Sequence, residues 1–438
     1  MLRTIDLRGR ELTAAQLLSA VPRAQAARAE ALQAASEIVA DVRGRGEAAL
    51  REQASRFDRV TDHAIRVPEA HLDEALEQLD PAVRRALEES IRRVRIASAA
   101  QVPPAVVTDL GPGARVEQRW VPVRRAGVYV PGGKAVYPSS VVMNVVPAQV
   151  AGVGEVALTS PPQSEFGGRV HPDILAAARL LGVTEVYAMG GAGAIAAYAY
   201  GVESIGLDPV DVVTGPGNNF VAAAKRAVGG VVGTDSEAGA TEILIVADEA
   251  AHPGLIAADL ISQAEHDEQA SAILVTWSPE LAERVQDEVL ERVAHTRNRA
   301  RAIDALEGPQ SAIVLVDDLD VATAFSNAYA PEHLELHLGE PRAQTFVNAG
   351  AVFVGENSPV SLGDYLAGSN HVLPTGGQAR YASGLSASTF LRPQQVIAYD
   401  REALRMVHDD IVALSVAEEL PAHGEAVSAR FADEPTGE

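Results

Sequence analysis

Between residues 11 and 100 apolar side chains recur at three- and four-residue intervals, with charged positions between them. That spacing lays one apolar stripe along a helix. It predicts helices over 12–20, 24–45 and 72–98, with a break at 65–70 where Ile-Arg-Val-Pro-Glu-Ala interrupts the stripe. From about residue 119 the pattern changes to short apolar runs closed by turn residues. Gly127-Val-Tyr-Val-Pro131, Glu155-Val-Ala-Leu-Thr-Ser160, Glu185-Val-Tyr-Ala-Met189 and Val210-Asp-Val-Val213 read as buried strands, separated by helical stretches at 172–182, 192–201 and 218–228. A second series follows, with strands at 242–247, 271–276, 311–316 and 351–354 and helices at 253–268 and 279–305. Residues from 379 onward read as helix-rich, fading into an acidic tail after 424, and no internal repeat is visible. Strands alternating with helices at this spacing predict βαβ units on mostly parallel sheets, an α/β fold.

Length then sets the scale: 438 residues imply about two to four domains. No apolar run approaches the ~20 residues of a membrane helix, and the first residues show no apolar leader segment. The expectation is a cytoplasmic protein with no membrane partner. A formal net charge of −23 argues against nucleic acid, which requires clustered Lys and Arg. With no cysteine in the chain, thiolate chemistry and Cys-based zinc sites are excluded, so a metal must be held by His, carboxylate or amide groups. The only lysines are Lys134 and Lys225, more simply surface or ion-pair residues than catalytic ones.

Three glycine-rich segments could cradle a phosphate. The stretch Gly127 to Ala135 resembles a P-loop but has Val128 where a glycine is required and Ala135 where a hydroxyl should bind magnesium, so it is rejected. Gly191-Ala-Gly193-Ala-Ile-Ala196 follows a strand, opens a helix, and has Asp208 or Asp211 at the distance of a ribose-binding acid. A Gly/Ala-rich helix packed closely on a sheet explains it equally well. In Thr214-Gly-Pro-Gly-Asn-Asn219, Asn218 is either a helix N-cap or a ligand contact.

Two polar clusters stand out. In Ser262-Gln-Ala-Glu-His266, Gln263 and His266 are three apart on one helical face and could form half of a metal site; a solvated helix end is the ordinary alternative. Ala330-Pro-Glu-His-Leu-Glu335 reads as a helix start with Pro331 at the first position. Glu332 and His333 would then lie in the first turn, where the helix dipole favours an ionised carboxylate and a neutral imidazole. An exposed Glu-rich first turn is the alternative. A polar loop with spaced glycines runs from Gly363-Asp364 to His371 and Pro374, and Glu418 and His423 come late in the chain.

Taken together, in order and spacing, these segments resemble the histidinol dehydrogenase family over nearly the whole chain; the Ser262-Gln-Ala-Glu-His266 and Tyr329-Ala-Pro-Glu-His-Leu334 pair is the most specific part. The resemblance implies NAD-dependent, four-electron oxidation of L-histidinol through L-histidinaldehyde to L-histidine. It implies one zinc ion per subunit on Gln263, His266, Asp364 and His423, and Glu332 and His333 as the catalytic bases. Substrate contacts would come from Thr241 (where the family usually has serine), Gln263, His266, His333, Asp364, Glu418 and His423. Tyr129 and Asn218 match NAD contacts, while Gly193 stands where the family carries an NAD-contacting glutamine. The implied architecture is two Rossmann-like parallel-sheet domains with a helical N-terminal arm and a small helical C-terminal domain. The arm covers 1–27, one α/β domain 28–128 with 243–378, the NAD-binding domain 129–242, and the C-terminal domain 379–438. The family is a homodimer in which C-terminal residues reach the partner's active site. The nearest rival is a paralogous zinc- and NAD-dependent dehydrogenase of another small hydroxylated substrate. A zinc hydrolase or a non-catalytic NAD-binding module is more distant.

Overall fold

The computed structural model describes residues 1–432 apart from 24–27, 133–135, 237–238 and 339–341. Lys134 and the end of the P-loop look-alike therefore lie outside the described residues. Two compact units are present, one of residues 1–102 with 123–390 and a smaller one of 103–122 with 391–438.

The larger unit holds two wholly parallel sheets. The first has five strands in the spatial order Glu185–Ala188, Glu155–Ser160, Arg125–Tyr129, Val212–Thr214 and Gly233–Thr234. Counted along the chain that order is 3-2-1-4-5, the dinucleotide-binding arrangement. The second runs Arg3–Asp6, Ala312–Leu315, Ser271–Thr276, Glu242–Ala247, His333–His337 and Ala351–Val354. Without its first edge strand it has the same 3-2-1-4-5 order, so an architectural repeat exists where the sequence shows none. The first strand also corrects the reading of the N-terminal arm as purely helical, because Arg3–Asp6 pairs with Ala312–Leu315.

Both faces of the second sheet are covered. Ile243 and Ile245 enter one core with Ile256, Leu260 and Leu281, while Leu244 and Val246 enter another with Phe325, Leu334 and Leu336. Side chains alternate across a strand, so a doubly buried strand must be apolar throughout. Glu242, at the start of Glu-Ile-Leu-Ile-Val-Ala, is the exception.

Several helical expectations change. The 72–98 stripe is two helices, Glu69–Gln78 and Pro81–Ala100, because Asp80 caps the second with Pro81 at its first position. Asp80 Oδ1 accepts from the amides of Ala82 (2.6 Å) and Val83 (3.3 Å). The 279–305 stretch likewise divides into Pro279–Val293 and Arg299–Glu307. A further change, at residues 331–337, concerns the site directly.

In the smaller unit, strand Ala114–Pro122 pairs antiparallel with Val106–Gly111 and with Leu391–Tyr399, followed by helices Arg401–Met406, His408–Ala417 and Pro421–Ser428. The helix-rich reading of the C-terminal region missed Leu391–Tyr399. Most of that strand is exposed, so no apolar alternation marks it.

Candidate active site

Open parallel sheets bind ligands outside the carboxyl ends of the strands where the strand order reverses. In the five-stranded sheet that point lies between Arg125–Tyr129 and Val212–Thr214. Tyr129 ends the first of these strands, and the Gly215–Asn218 loop leaves the second. Gly215 has φ +119°, and a β-carbon there would overlap the Tyr129 carbonyl. Only glycine lets the two chain segments approach this closely. The loop is braced from behind by Lys225, 2% exposed, whose Nζ donates to the Gly215 carbonyl (2.6 Å) and pairs with Asp235. Asp235 in turn accepts from the Gly215 amide at 2.8 Å. Lys225 is thus a buried ion-pair residue rather than a surface one. Asn218 is the N-cap of Asn219–Ala227, accepting from the amides of Phe220 (3.0 Å) and Val221 (3.2 Å).

Gly193 lies buried in the first turn of Gly191–Tyr200. The Gly191 amide donates to the Tyr129 hydroxyl at 3.3 Å, and burial pushes that hydroxyl up to about 12, keeping it protonated. Of the two acids the dinucleotide-fingerprint reading offered, Asp211 is engaged elsewhere. Asp211 accepts from the Arg124 (2.8 Å) and Arg125 (3.0 Å) amides at the start of the strand Arg125–Tyr129, at the opposite end of the sheet from Tyr129.

Residues 331–337 are not a helix start. The helix Leu319–Tyr329 ends at Ala330 with φ +52°, and His333–His337 is a strand between Glu242–Ala247 and Ala351–Val354. The dipole argument for Glu332 and His333 therefore falls, and burial takes its place. Glu332 and His333 are 7% and 4% exposed. Removal from water pushes the Glu332 carboxyl up to about 8, despite hydrogen bonds from the Thr241 hydroxyl (2.6 Å) and the Glu242 amide (2.9 Å). This is opposite to the direction the helix dipole would give. Burial also lowers the His333 imidazole, outweighing the nearby Asp364 and Glu242 charges. His333 Nδ1 donates to the Glu242 carbonyl at 3.1 Å, which fixes the tautomer and leaves Nε2 as the basic atom. Glu242 itself is held by Arg23 at 2.7 Å, with Arg23 stacked over the Tyr329 ring.

Helix Pro253–Ala264 runs back from the carboxyl end of strand Glu242–Ala247 and delivers Gln263 beside Thr241, to whose hydroxyl Gln263 Nε2 donates. Gln263 is 1% exposed and its Oε1 has no partner. The helix stops at Ala264, so His266 lies in the turn beyond it rather than on the same helical face. Its Nδ1 donates to the Ser262 carbonyl at 3.0 Å, which leaves Nε2 as a ligand atom. Asp364, on Val360–Tyr365, accepts at its carbonyl from His371 Nδ1 (2.9 Å). Burial lowers the His371 imidazole, with the neighbouring Asp364, His333 and His266 acting on it as well. Its Nε2 meets Ser140 at 3.0 Å on the helix Pro138–Ala151, which follows the first strand of the five-stranded sheet.

Thr241, Gln263, His266, Glu332, His333 and Asp364 thus share one neighbourhood. Glu418 and His423 belong to the smaller unit and are exposed there. Among the described residues, the one group of three His or carboxylate ligand atoms close enough for a single ion is Asp259, Glu335 and His337, none of them anticipated as a ligand. His337 Nε2 lies 3.2 Å from Glu335 and 4.0 Å from Asp259. Glu335 Oε1 accepts from the Val360 amide at 2.6 Å. This cluster, His371 and the Arg23–Glu242 pair were missed as site components. The sequence did carry signals for the last two, with His371 in the polar loop and Glu242 charged at the head of an apolar strand.

A family model described as histidinol dehydrogenase matches residues 21–431. A histidinol dehydrogenase from Leifsonia xyli subsp. xyli is 63% identical, covering 98% of this chain and 99% of that one. One from Mycobacterium tuberculosis is 55% identical over 98% of each. A crystal structure of histidinol dehydrogenase from Elizabethkingia anophelis superposes with a TM-score of 0.90 at 31% identity, covering 98% of both chains.

Proposed function

Because the chain belongs to the histidinol dehydrogenase family, oxidoreductases of histidine biosynthesis, we propose that it oxidises L-histidinol through L-histidinaldehyde to L-histidine with reduction of two NAD. The observation that carries the reading is the buried Glu332–His333 pair, in which the Nδ1 bond of His333 leaves its Nε2 as an acceptor. His333 presents an unprotonated Nε2, so it takes the alcohol proton as the first hydride leaves, and it assists the second transfer. Glu332, held by Thr241 and the Glu242 amide, is the base that draws a proton from the water adding to the aldehyde.

Zinc fits the donors present. Gln263 Oε1 is a buried acceptor without a donor, and His266 Nε2 is left free by its Nδ1 bond. We assign one zinc per subunit to Gln263, His266, Asp364 and His423, where it would orient the substrate imidazole and amine. Thr241, Gln263, His266, His333, Asp364 and Glu418 contact the substrate, with His423 beside the metal. NAD lies across the strand-order reversal, against Tyr129, Asn218 and the turn at Gly193. We keep the division into four domains, with 129–242 binding NAD.

His423 and Glu418 act in the partner's site of a homodimer. The smaller unit supports this, because it buries only Ala114, Leu391, Ala403, Ser415 and Gly424 among its described residues. It exposes Val106, Leu110, Ile397, Leu414, Val416 and Leu420. Apolar exposure on that scale asks for a covering surface. No described helix is long and apolar enough to cross a membrane, and we assign the enzyme to the cytoplasm. Purified protein should form two NADH per histidine from L-histidinol. Absence of turnover on histidinol, with activity on another small hydroxylated substrate, would transfer the assignment to a paralogous dehydrogenase.

A further inference from the structure

The first turn of Gly191–Tyr200 is occupied by a side chain from elsewhere. Helix Glu47–Gln53 gives way at Ala54 to a single π-helical turn, Ala54–Asp58, and Gln53 stands at the junction. Turns of this kind re-aim side chains and recur at functional sites. Its carboxamide packs on Gly193 so closely that a β-carbon at 193 would overlap Gln53 Oε1 and press on Leu50. Gln53 Nε2 is shut off from solvent and has no acceptor. A buried amide donor without an acceptor is costly and rare, so it asks for a missing partner. Nearby, the Tyr129 hydroxyl already accepts from the Gly191 amide and has its own proton to give. No side chain caps this helix at Gly190.

We propose that Gln53 is a dinucleotide-binding residue, its part-exposed side chain turning so that Nε2 donates to a phosphate or ribose oxygen, with Gly193 as the residue whose lack of a side chain admits it. The amide is neutral and the acceptor is an oxygen, so the contact contributes affinity and position without altering the charge of the site. This rests on the reading that NAD binds at the end of the five-stranded sheet.

The test is NADH binding to the zinc-loaded protein, followed by calorimetry, in wild type, Gln53→Met, Gly193→Gln and the double variant. Gln53→Met keeps the packing and removes the donor. It should weaken NADH about tenfold, the upper range for one hydrogen bond, with L-histidinol binding and thermal midpoint unchanged. Gly193→Gln alone should collide with Gln53 and also weaken binding. The double variant, with a flexible side chain at 53 and an amide supplied from 193, should recover most of the loss. The ratio repeated with ADP-ribose and with nicotinamide mononucleotide assigns the contact to one half of the dinucleotide. If Gln53→Met binds NADH within twofold of wild type while Asn218→Ala weakens it, this inference fails and the cofactor site stands. If the wild type binds no NADH, both fail.

Discussion

Glu332 and His333 are neighbours whose protonation states are set by one cause acting in opposite directions. Burial penalises charge, so the carboxyl rises to about 8 and the imidazole falls. At neutral pH both are mostly uncharged, and the base form of Glu332 grows as pH rises. Oxidation of L-histidinaldehyde should therefore climb with pH through a midpoint near 8, and Glu332→Gln should be slow and flat across the range; a flat wild-type profile would remove Glu332 from the water-activating role. His333→Asn should lower both half-reactions by about 10²- to 10⁴-fold, the usual contribution of a positioned base. Stability carries the same signature. An unfolded glutamate ionises near the ordinary 4.5, whereas the folded one keeps its proton to about 8. The folded state is therefore progressively destabilised by this group between those pH values, and Glu332→Gln should remove that slope in urea titrations. Both residues stood out in the sequence as candidate bases. Their environment was not legible, because a proline before a polar pair fits a helix start as well as the entry to a buried strand.

That ambiguity was resolved by partners distant in the chain. The strand His333–His337 forms because Glu242–Ala247 and Ala351–Val354 offer edges on both sides, and the short-range pattern contains neither. Regular strands and helices with apolar runs were readable for the same reason that the exposed strand Leu391–Tyr399 was not: only burial imposes a period. The buried Asp259–Glu335–His337 cluster shows what element-level pattern cannot give. Asp259 lies on the helix that carries Gln263, and Glu335 and His337 lie on the strand that begins with His333. Glu335 also holds the Val360 amide at the start of the helix bearing Asp364. One carboxylate therefore ties together the three elements that supply the polar residues of the site. Glu335→Ala strands His337 and the Val360 amide and should cost about 2–4 kcal/mol of unfolding free energy by denaturant titration. It should also lower bound zinc measured by elemental analysis. Glu335→Gln retains an acceptor for Val360 and should keep most of both.

At the scale of the molecule, the two sheets share a strand order but place their candidate site residues at opposite ends. The five-stranded sheet offers Tyr129 and the Gly215 loop from its carboxyl ends, while the other sheet offers Thr241, Glu332 and His333 from its amino ends. The helix returning from Ala247 brings Gln263 to that same edge. If the homodimer exchanges its C-terminal units, two inactive variants must complement. A mixture of His266→Ala and His423→Ala subunits, exchanged by reversible dissociation, should recover about a quarter of wild-type activity, since half the dimers are mixed and one site in each is intact. Recovery near zero would assign His423 to its own subunit.

The lysine behind the Gly215 loop has a practical meaning. Its amine is bonded to a carbonyl and a carboxylate and is closed to solvent. An acylating reagent can reach it only when that region of the molecule opens, so its labelling rate counts openings of the loop rather than encounters at the surface. In a chain so poor in lysine, a single modified peptide is enough to read that clock, and added dinucleotide should slow it.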